Sequence, residues 1–239
     1  MTLLRALASA LVALALPAGA HQASAPASPL DFDPPAAGTY RLPPIQPAPP
    51  GEVLDAAGRR RSLAQFTHGR ITLLGLIYTR CVDTEGCPRA AWAFNDVRAL
   101  LREDPGLQSR TRLVSLSFDP VHDRPPVIRA YGARSGASRR GAVWHFLTTA
   151  SRSALDPILD GFGQDLSVAV DSRAVPGTEE FTHTLKVFLI DRAGMVREIY
   201  STAYLMPRMI VNDIRTLDGE RGYSYSAIGT QEQNRLRSP

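Results

Sequence analysis

Apolar residues along the chain form short continuous runs that alternate with helix-spaced stripes, and this pattern predicts strands alternating with helices. Residues 71–78 are a continuous apolar run of the kind found in a buried central strand, and residues 112–118 indicate a second such strand. Between them an apolar stripe begins at Pro88, a residue suited to the first position of a helix. Strand, helix and strand in this order predict a parallel pair joined by a right-handed crossover.

Shorter elements continue the pattern on both sides of this unit. They are a strand and turn over 51–61, a helix over 126–131, a strand over 143–147, a helix over 154–162, strands over 184–190 and 195–200, and a helix over 206–217. The last two strands flank residues 191–194, whose final glycine is typical of a hairpin turn. The predicted fold is therefore α/β, with a central mixed β-sheet flanked by helices and a C-terminal β-hairpin and helix.

The first twenty residues have the order of a secretory signal peptide. Arg5 precedes an apolar run over residues 6–16, and small residues follow at 18–20. The run is too short to cross a bilayer, which takes about 20 apolar residues. We expect cleavage after Ala20, no membrane span in the mature chain and residence in a bacterial periplasm, an oxidising space. A retained signal would instead leave the protein membrane-associated.

The composition of the chain divides the remainder into three parts. Residues 21–50 hold nine of the 19 prolines, which predicts an extended Pro/Ala-rich tether. Residues 51–220 are expected to form the folded domain, and residues 221–239 a polar C-terminal tail. The net charge of +4 comes from arginines interspersed with acids, so the sequence does not indicate a nucleic-acid-binding protein.

The two cysteines of the chain lie at the junction between the first central strand and its helix. Cys81 follows the strand and Cys87 begins the helix, where the positive end of the helix dipole favours a thiolate. Six helical steps would turn the two side chains apart, so residues 82–86 must loop out to bring Cys81 back beside Cys87. Two cysteines exclude a four-cysteine zinc site. A disulfide and a shared soft metal ion both remain open.

Three segments in order resemble the Sco/SenC family of thioredoxin-like copper proteins. They are residues 78–88, which contain both cysteines, residues 117–123, with the pattern Asp-Pro-x-x-Asp, and residues 182–191, which contain His183. The resemblance covers residues 51–217 and implies a thioredoxin-like fold. It further implies that Cys81, Cys87 and His183 bind one copper ion, and that the protein helps to assemble the copper site of a client such as cytochrome c oxidase.

The residue chemistry agrees with that ligand set, because two thiolates and an imidazole suit Cu(I), with zinc as a competitor. Asp119 and Asp123 are expected to shape the loop beside the site, or to contact the ligands from a second shell. His122 lies inside the Asp-Pro-x-x-Asp motif, at a position where the family is not restricted to histidine, and His68 and His145 are interpreted as incidental. Tyr78, Trp92 and Trp144 are interpreted as packing residues.

One departure from the family keeps two other functions open. Five residues separate the cysteines where the family has three, and Asp83 and Glu85 are among them. Acidic side chains beside the sulfurs would disfavour thiolates and weaken Cu(I) binding. The alternatives are a thiol:disulfide oxidoreductase, which would act enzymatically with Cys81 and Cys87 as its redox pair on periplasmic thiol-disulfide partners, and a sensor or assembly factor with neither activity.

Overall fold

The computed structural model describes residues 33–81, 87–137, 140–169, 180–183, 185–201 and 204–220, and the side chains of 166–169 and 180–183 lie outside this description. The predicted signal peptide and the first part of the predicted tether, residues 1–32, lie outside it. Residues 82–86 with Asp83 and Glu85, Thr184 and the predicted C-terminal tail lie outside it as well.

The strands are β1 (Gln46–Pro47), β2 (Glu52–Asp55), β3 (Arg60–Ser62), β4 (Ile71–Ile77), β5 (Thr111–Ser117), β6 (Val143–Thr148), β7 (Leu166–Ala169), β8 (Glu180–His183), β9 (Val187–Ile190) and β10 (Met195–Tyr200). The helices are α1 (Ala64–Thr67), α2 (Cys87–Leu101), α3 (Pro105–Arg110), α4 (Pro125–Arg134), α5 (Arg152–Gly161) and α6 (Pro207–Gly219).

Eight strands form one mixed sheet in the order β1-β10-β9-β4-β5-β6-β2-β3. β4, β5 and β6 are parallel neighbours, whereas the other pairs are antiparallel. The predicted parallel pair is confirmed, since β4 and β5 run in register from Ile71 opposite Thr111 to Ile77 opposite Ser117. The predicted mixed sheet flanked by helices is confirmed as well.

The core lies around β4 and β5, in which every residue is buried. β4 has a glycine at position 75, and a Cβ there would lie 3.1 Å from Phe94 of α2. Glycine therefore lets the phenyl ring of Phe94 lie directly against the central strand. Trp92 on the same helix is 56% exposed, so its interpretation as a packing residue is wrong, while Tyr78 and Trp144 are buried as expected.

The predicted C-terminal hairpin is formed by β9 and β10, although β9 begins three residues later than expected. Gly194 has a φ of 84°, and the Asp191 side chain accepts hydrogen bonds from the backbone N–H groups of Ala193 and Met195 at 2.9 and 3.0 Å. The residues before β9 form a separate ribbon of β7 and β8, which the sequence pattern did not predict.

The proline-rich segment ahead of the domain is part of the fold over residues 35–48, which we call the N-terminal strap. The Tyr40 hydroxyl donates to the Asp213 carboxylate at 2.5 Å, Leu42 is buried, and β1 pairs with β10. The prediction of a tether over residues 21–50 is therefore wrong for the strap. Carbonyl and tyrosyl groups between the prolines supply the hydrogen bonds that the composition does not reveal.

Helices in the described part of the chain are all too short or too polar to span a membrane.

Candidate metal centre

The two cysteines meet at the carboxyl end of the central strand. β4 ends at Ile77, and the backbone N–H of Cys81 donates to the carbonyl of Tyr78 at 3.3 Å, which turns the chain after the strand. Cys87 is the first residue of α2. Both cysteines are free, and the Cys81 thiol forms a hydrogen bond with the Cys87 thiol. The two cysteine side chains are therefore in contact, as the sequence analysis expects.

The sulfur of Cys87 is a protected neutral thiol rather than a ready thiolate. The hydrogen bond with Cys81 and the burial of the side chain raise the pKa of Cys87 well above its ordinary value. The expectation of a stabilised thiolate at the helix start is therefore wrong for Cys87 in this form. Cys81 is half-buried and Cys87 is 1% exposed, so Cys81 is the sulfur that an incoming partner reaches first.

Asp123 fixes the segment that leads into Cys81. Its carboxylate accepts hydrogen bonds from the Thr79 backbone N–H at 2.9 Å, the Thr79 hydroxyl at 2.5 Å and the Ser117 hydroxyl at 2.6 Å. Burial raises the pKa of Asp123, and the hydrogen bonds from Ser117 and Thr79 act against that rise. The side chain thus ties the end of β5 to the residue two positions before Cys81.

Asp119 makes a second connection one residue closer to Cys81. Its carboxylate accepts from Arg80 Nη2 at 2.9 Å, and its backbone N–H donates to the Ser117 hydroxyl at 3.0 Å. His122 Nδ1 lies 3.0 Å from Asp119 Oδ1 and 2.9 Å from Arg80 Nη2. Asp123 therefore binds Thr79 and Asp119 binds Arg80, so the two aspartates fix both residues that precede Cys81.

His183 lies in the β7–β8 ribbon that precedes β9, and its side chain lies outside the described residues. β9 is antiparallel to β4, with Val187 opposite Gly75 and Ile190 opposite Thr72, so β9 begins at the sheet edge where β4 ends. His183 is the last residue of β8 and pairs with Leu166. Three residues separate it from Val187, the first residue of β9.

Sequence reasoning missed Thr79, Arg80 and Ser117 as supports of the site. The available signal was their position, because each directly precedes or follows a strand end inside a segment that resembles the family. His122, for which the sequence indicated no particular role, contacts both Asp119 and Arg80. His145, by contrast, packs edge-on against Phe66 at 5.0 Å, and burial lowers its pKa.

The donor chemistry of the cysteine pair fits a soft metal ion. Two adjacent sulfurs suit Cu(I), and an imidazole at the same edge would complete a three-donor set. Among the residues whose side chains are described, no three histidine, cysteine, aspartate or glutamate side chains converge on one point. Of the three expected ligands, only the two cysteines have side chains in the described part of the structure.

Fold and thiol pair together define a thioredoxin-like α/β protein with its cysteines at the end of the central strand. Residues 48–218 match the family model described as SCO1/SenC, and the chain belongs to that family. A search of curated proteins found no match.

Solved structures with the same fold include several Sco proteins. Apo Sco1 from Thermus thermophilus is 26% identical with a TM-score of 0.60, covering 75% of this chain and 95% of that one. Copper-bound ScoI from Bradyrhizobium japonicum is 17% identical with a TM-score of 0.58, covering 72% and 99%. BsSco, described as having a disulfide switch and as a member of the Sco family of cytochrome c oxidase assembly proteins, is 21% identical with a TM-score of 0.57, covering 76% and 99%.

Proposed function

We propose that this protein is a periplasmic copper metallochaperone. It binds one copper ion through Cys81, Cys87 and His183 and delivers the ion to a copper site in a client such as cytochrome c oxidase. The observation that carries this proposal is the hydrogen-bonded pair of free thiols at the end of β4. Membership of the SCO1/SenC family and the copper-bound structure of a Sco protein support copper as the cargo.

The chain's own residues account for capture and release of such a cargo. Cys81 is the accessible first donor, and Cys87 follows by giving up its thiol proton, because a thiolate is the form that binds metal. Asp123 and Asp119 hold the preceding residues, so the position of Cys81 is set before the ion arrives. His183, the ligand that the family resemblance implies, supplies the third donor, and a three-coordinate site leaves room for an incoming donor from the client.

A competition titration with a chromophoric Cu(I) chelator, performed without oxygen, tests the ligand set. The wild type should bind one Cu(I), and Cys81→Ser, Cys87→Ser and His183→Ala should each weaken binding by about tenfold or more, which is about 1.4 kcal/mol per tenfold. His68→Ala is the matched control, since His68 is exposed at the opposite end of β4. Equal affinity in the wild type and His183→Ala would contradict the three-ligand site.

A second candidate function is favoured by the direct contact of the two thiols. Neighbouring free thiols, one accessible and one protected, are also the arrangement of a thiol:disulfide oxidoreductase, in which Cys81 attacks a client disulfide and Cys87 resolves the mixed disulfide. That reaction needs no imidazole ligand. If it is the function, His183→Ala retains disulfide exchange with a client, while Cys87→Ser traps the mixed disulfide.

Export to the periplasm is a separate part of the proposal and has its own measurement. Mass spectrometry of the exported protein should show a chain that begins at His21. An intact Met1 terminus in a membrane fraction would replace the freely diffusing periplasmic protein by a membrane-associated one.

A further inference from the structure

A cleft of about 720 Å³ lies between the β2–β3 hairpin, helix α4 and strand β6, two strands away from β4. We propose that this cleft binds a short, extended, acidic segment of a partner protein, which adds to β6 as a further strand. This proposal does not depend on the proposed copper function, because none of the metal-centre residues lines the cleft.

The backbone of β6 offers an open edge in this cleft. β2 pairs with β6 only through Leu54 opposite Thr148 and Asp55 opposite Leu147. After Asp55 the chain turns away through Gly58, which has a φ of 80°. In the described part of the chain, residues 143–146 therefore have β5 on one side and no strand on the other. Such an edge presents N–H and C=O groups that an extended peptide can pair with.

The rim of the cleft is positively charged and therefore favours an acidic ligand. Arg59, Arg61 and Arg129 line it, against a single carboxylate, Asp55. Burial opposes ionisation of Asp55, yet hydrogen bonds from Arg59, Ala57 and Arg61 lower its pKa to about 2, so its charge is already neutralised by the hairpin arginines. Arg129 donates from Nε to the carbonyl of Ala56 at 2.8 Å and forms no ion pair among the described residues. The three arginines thus leave an excess of positive charge.

The floor of the cleft is aromatic and accepts apolar side chains. Trp144 and Phe146 line it on one face of β6 and Phe66 lines it on the other, beside His145 at 5.0 Å between ring centroids, and each of the three is less than 10% exposed. Gly132 shapes the wall formed by α4, because a Cβ there would lie 2.8 Å from the ring of Phe146. Successive side chains of a strand point to opposite faces of the sheet, so a bound strand can present apolar groups to Trp144 and Phe146 on one face and carboxylates to Arg59 and Arg61, beside Asp55, on the other. The preferred segment therefore alternates acidic and apolar residues.

Fluorescence anisotropy with the full-length protein and labelled hexapeptides tests the proposal. The probe alternates glutamate and valine, and its two counterparts are a lysine–valine peptide and a glutamate–valine peptide with N-methylated backbone. We expect saturable binding of the probe alone, with a Kd below about 1 mM. We further expect slower hydrogen exchange, in the complex, of those amides of residues 143–146 that face the open edge rather than β5.

Substitutions at the rim link binding to the cleft. Arg129→Gln and Arg59→Gln should each weaken the probe about three- to fivefold, the size of an exposed ion pair, and the double variant more strongly. Arg134→Gln is the matched control, because Arg134 is exposed on the same helix and does not line the cleft.

Four results would overturn the proposal. They are absence of saturable binding, equal binding of the N-methylated peptide, competition by N-acetylglutamate as strong as that of the peptide, and weakening by Arg134→Gln equal to that by Arg129→Gln. Self-association of the protein that Arg129→Gln abolishes would instead assign the cleft to a second copy of the chain.

Discussion

The Asp123 carboxylate accepts two hydrogen bonds from Thr79, one from its backbone N–H at 2.9 Å and one from its hydroxyl at 2.5 Å. The two residues are 44 positions apart in the sequence. The Asp-Pro-x-x-Asp segment is therefore joined physically to the cysteine segment. Because Thr79 lies two residues before Cys81, a change at Asp123 is transmitted to the position of the first sulfur.

Replacement of Asp123 should affect both stability and the metal centre. In Asp123→Asn, one amide N–H₂ group faces the Thr79 and Ser117 donors, and we expect the free energy of unfolding to fall by about 2–3 kcal/mol. Cu(I) affinity should fall about tenfold, as for other groups that orient a ligand from outside. Urea unfolding and chelator competition measure the two effects. Asp156→Asn, at an exposed ion pair with Arg152, should change stability by less than about 0.5 kcal/mol, and an equal loss there would contradict the prediction.

The two cysteines should differ in their rate of alkylation. Cys81 is half-buried whereas Cys87 is 1% exposed and has a raised pKa, so iodoacetamide at neutral pH should modify Cys81 first. Peptide mass spectrometry over a time course gives the order of modification. In Cys81→Ser the remaining thiol should stay slow, because its burial is unchanged. Faster labelling of Cys87 than of Cys81 in the wild type would contradict this assignment of accessibility.

Removal of the N-terminal strap should destabilise the domain. A chain that begins at residue 49 loses the buried Leu42, the β1–β10 pairing and the Tyr40–Asp213 hydrogen bond. We expect a lower melting temperature than for a chain that begins at residue 33, with a loss of several kcal/mol, about 1 kcal/mol for each net hydrogen bond and about 2 kcal/mol for the leucine. Equal melting temperatures would show that residues 33–48 act as a spacer.

Asp213, which accepts the hydrogen bond from Tyr40 of the strap, should make the stability of the domain depend on pH. Burial raises the pKa of this carboxyl from 3.8, while hydrogen bonds from Tyr200 and Tyr40 act against the rise. Between 3.8 and the raised value the folded state binds more protons than the unfolded chain, so the free energy of unfolding falls as pH rises.

Asp213→Asn removes this contribution together with the part of the raised pKa of Glu198 that the charge of Asp213 causes, and both losses change the stability difference in the same direction. The stability difference, wild type minus variant, should be level below pH 3.8 and decrease as the pH rises above it. Urea unfolding at a series of pH values gives the difference. A difference that grows with pH would show that ionised Asp213 stabilises the fold.

How far the sequence predicts this molecule depends on whether a feature is local. β4, β5 and α2 are predictable because their apolar runs are long and only one buried arrangement suits them. β8 is not, since its sequence Glu-Phe-Thr-His holds a single large apolar residue and carries no strand signal. The sequence does not predict the docking of the strap. The nine prolines of residues 21–50 indicate an extended tether, whereas a tyrosyl, a leucyl and several carbonyl groups between them make the contacts with the domain.

Within the site the same distinction applies. The approach of Cys81 to Cys87 follows from their positions at a strand-to-helix junction, which is visible in a few consecutive residues. The ion pair between Asp119 and Arg80 joins residues that are 39 positions apart, and no local sequence pattern connects the two. A family resemblance names Asp119 and Asp123, yet only the fold shows which backbone groups they hold.

The contact between Tyr40 and Asp213 spans 173 residues, and Gly38 and Thr216 are 178 residues apart. Closing so long a loop costs entropy, and the contacts that offset this cost become available only when β10 and α6 have come together to form the docking surface. Synthesis delivers the strap first, but its binding site is complete only when the last helix is in place. We therefore expect the strap, at the beginning of the domain, to be among the last parts to dock during folding.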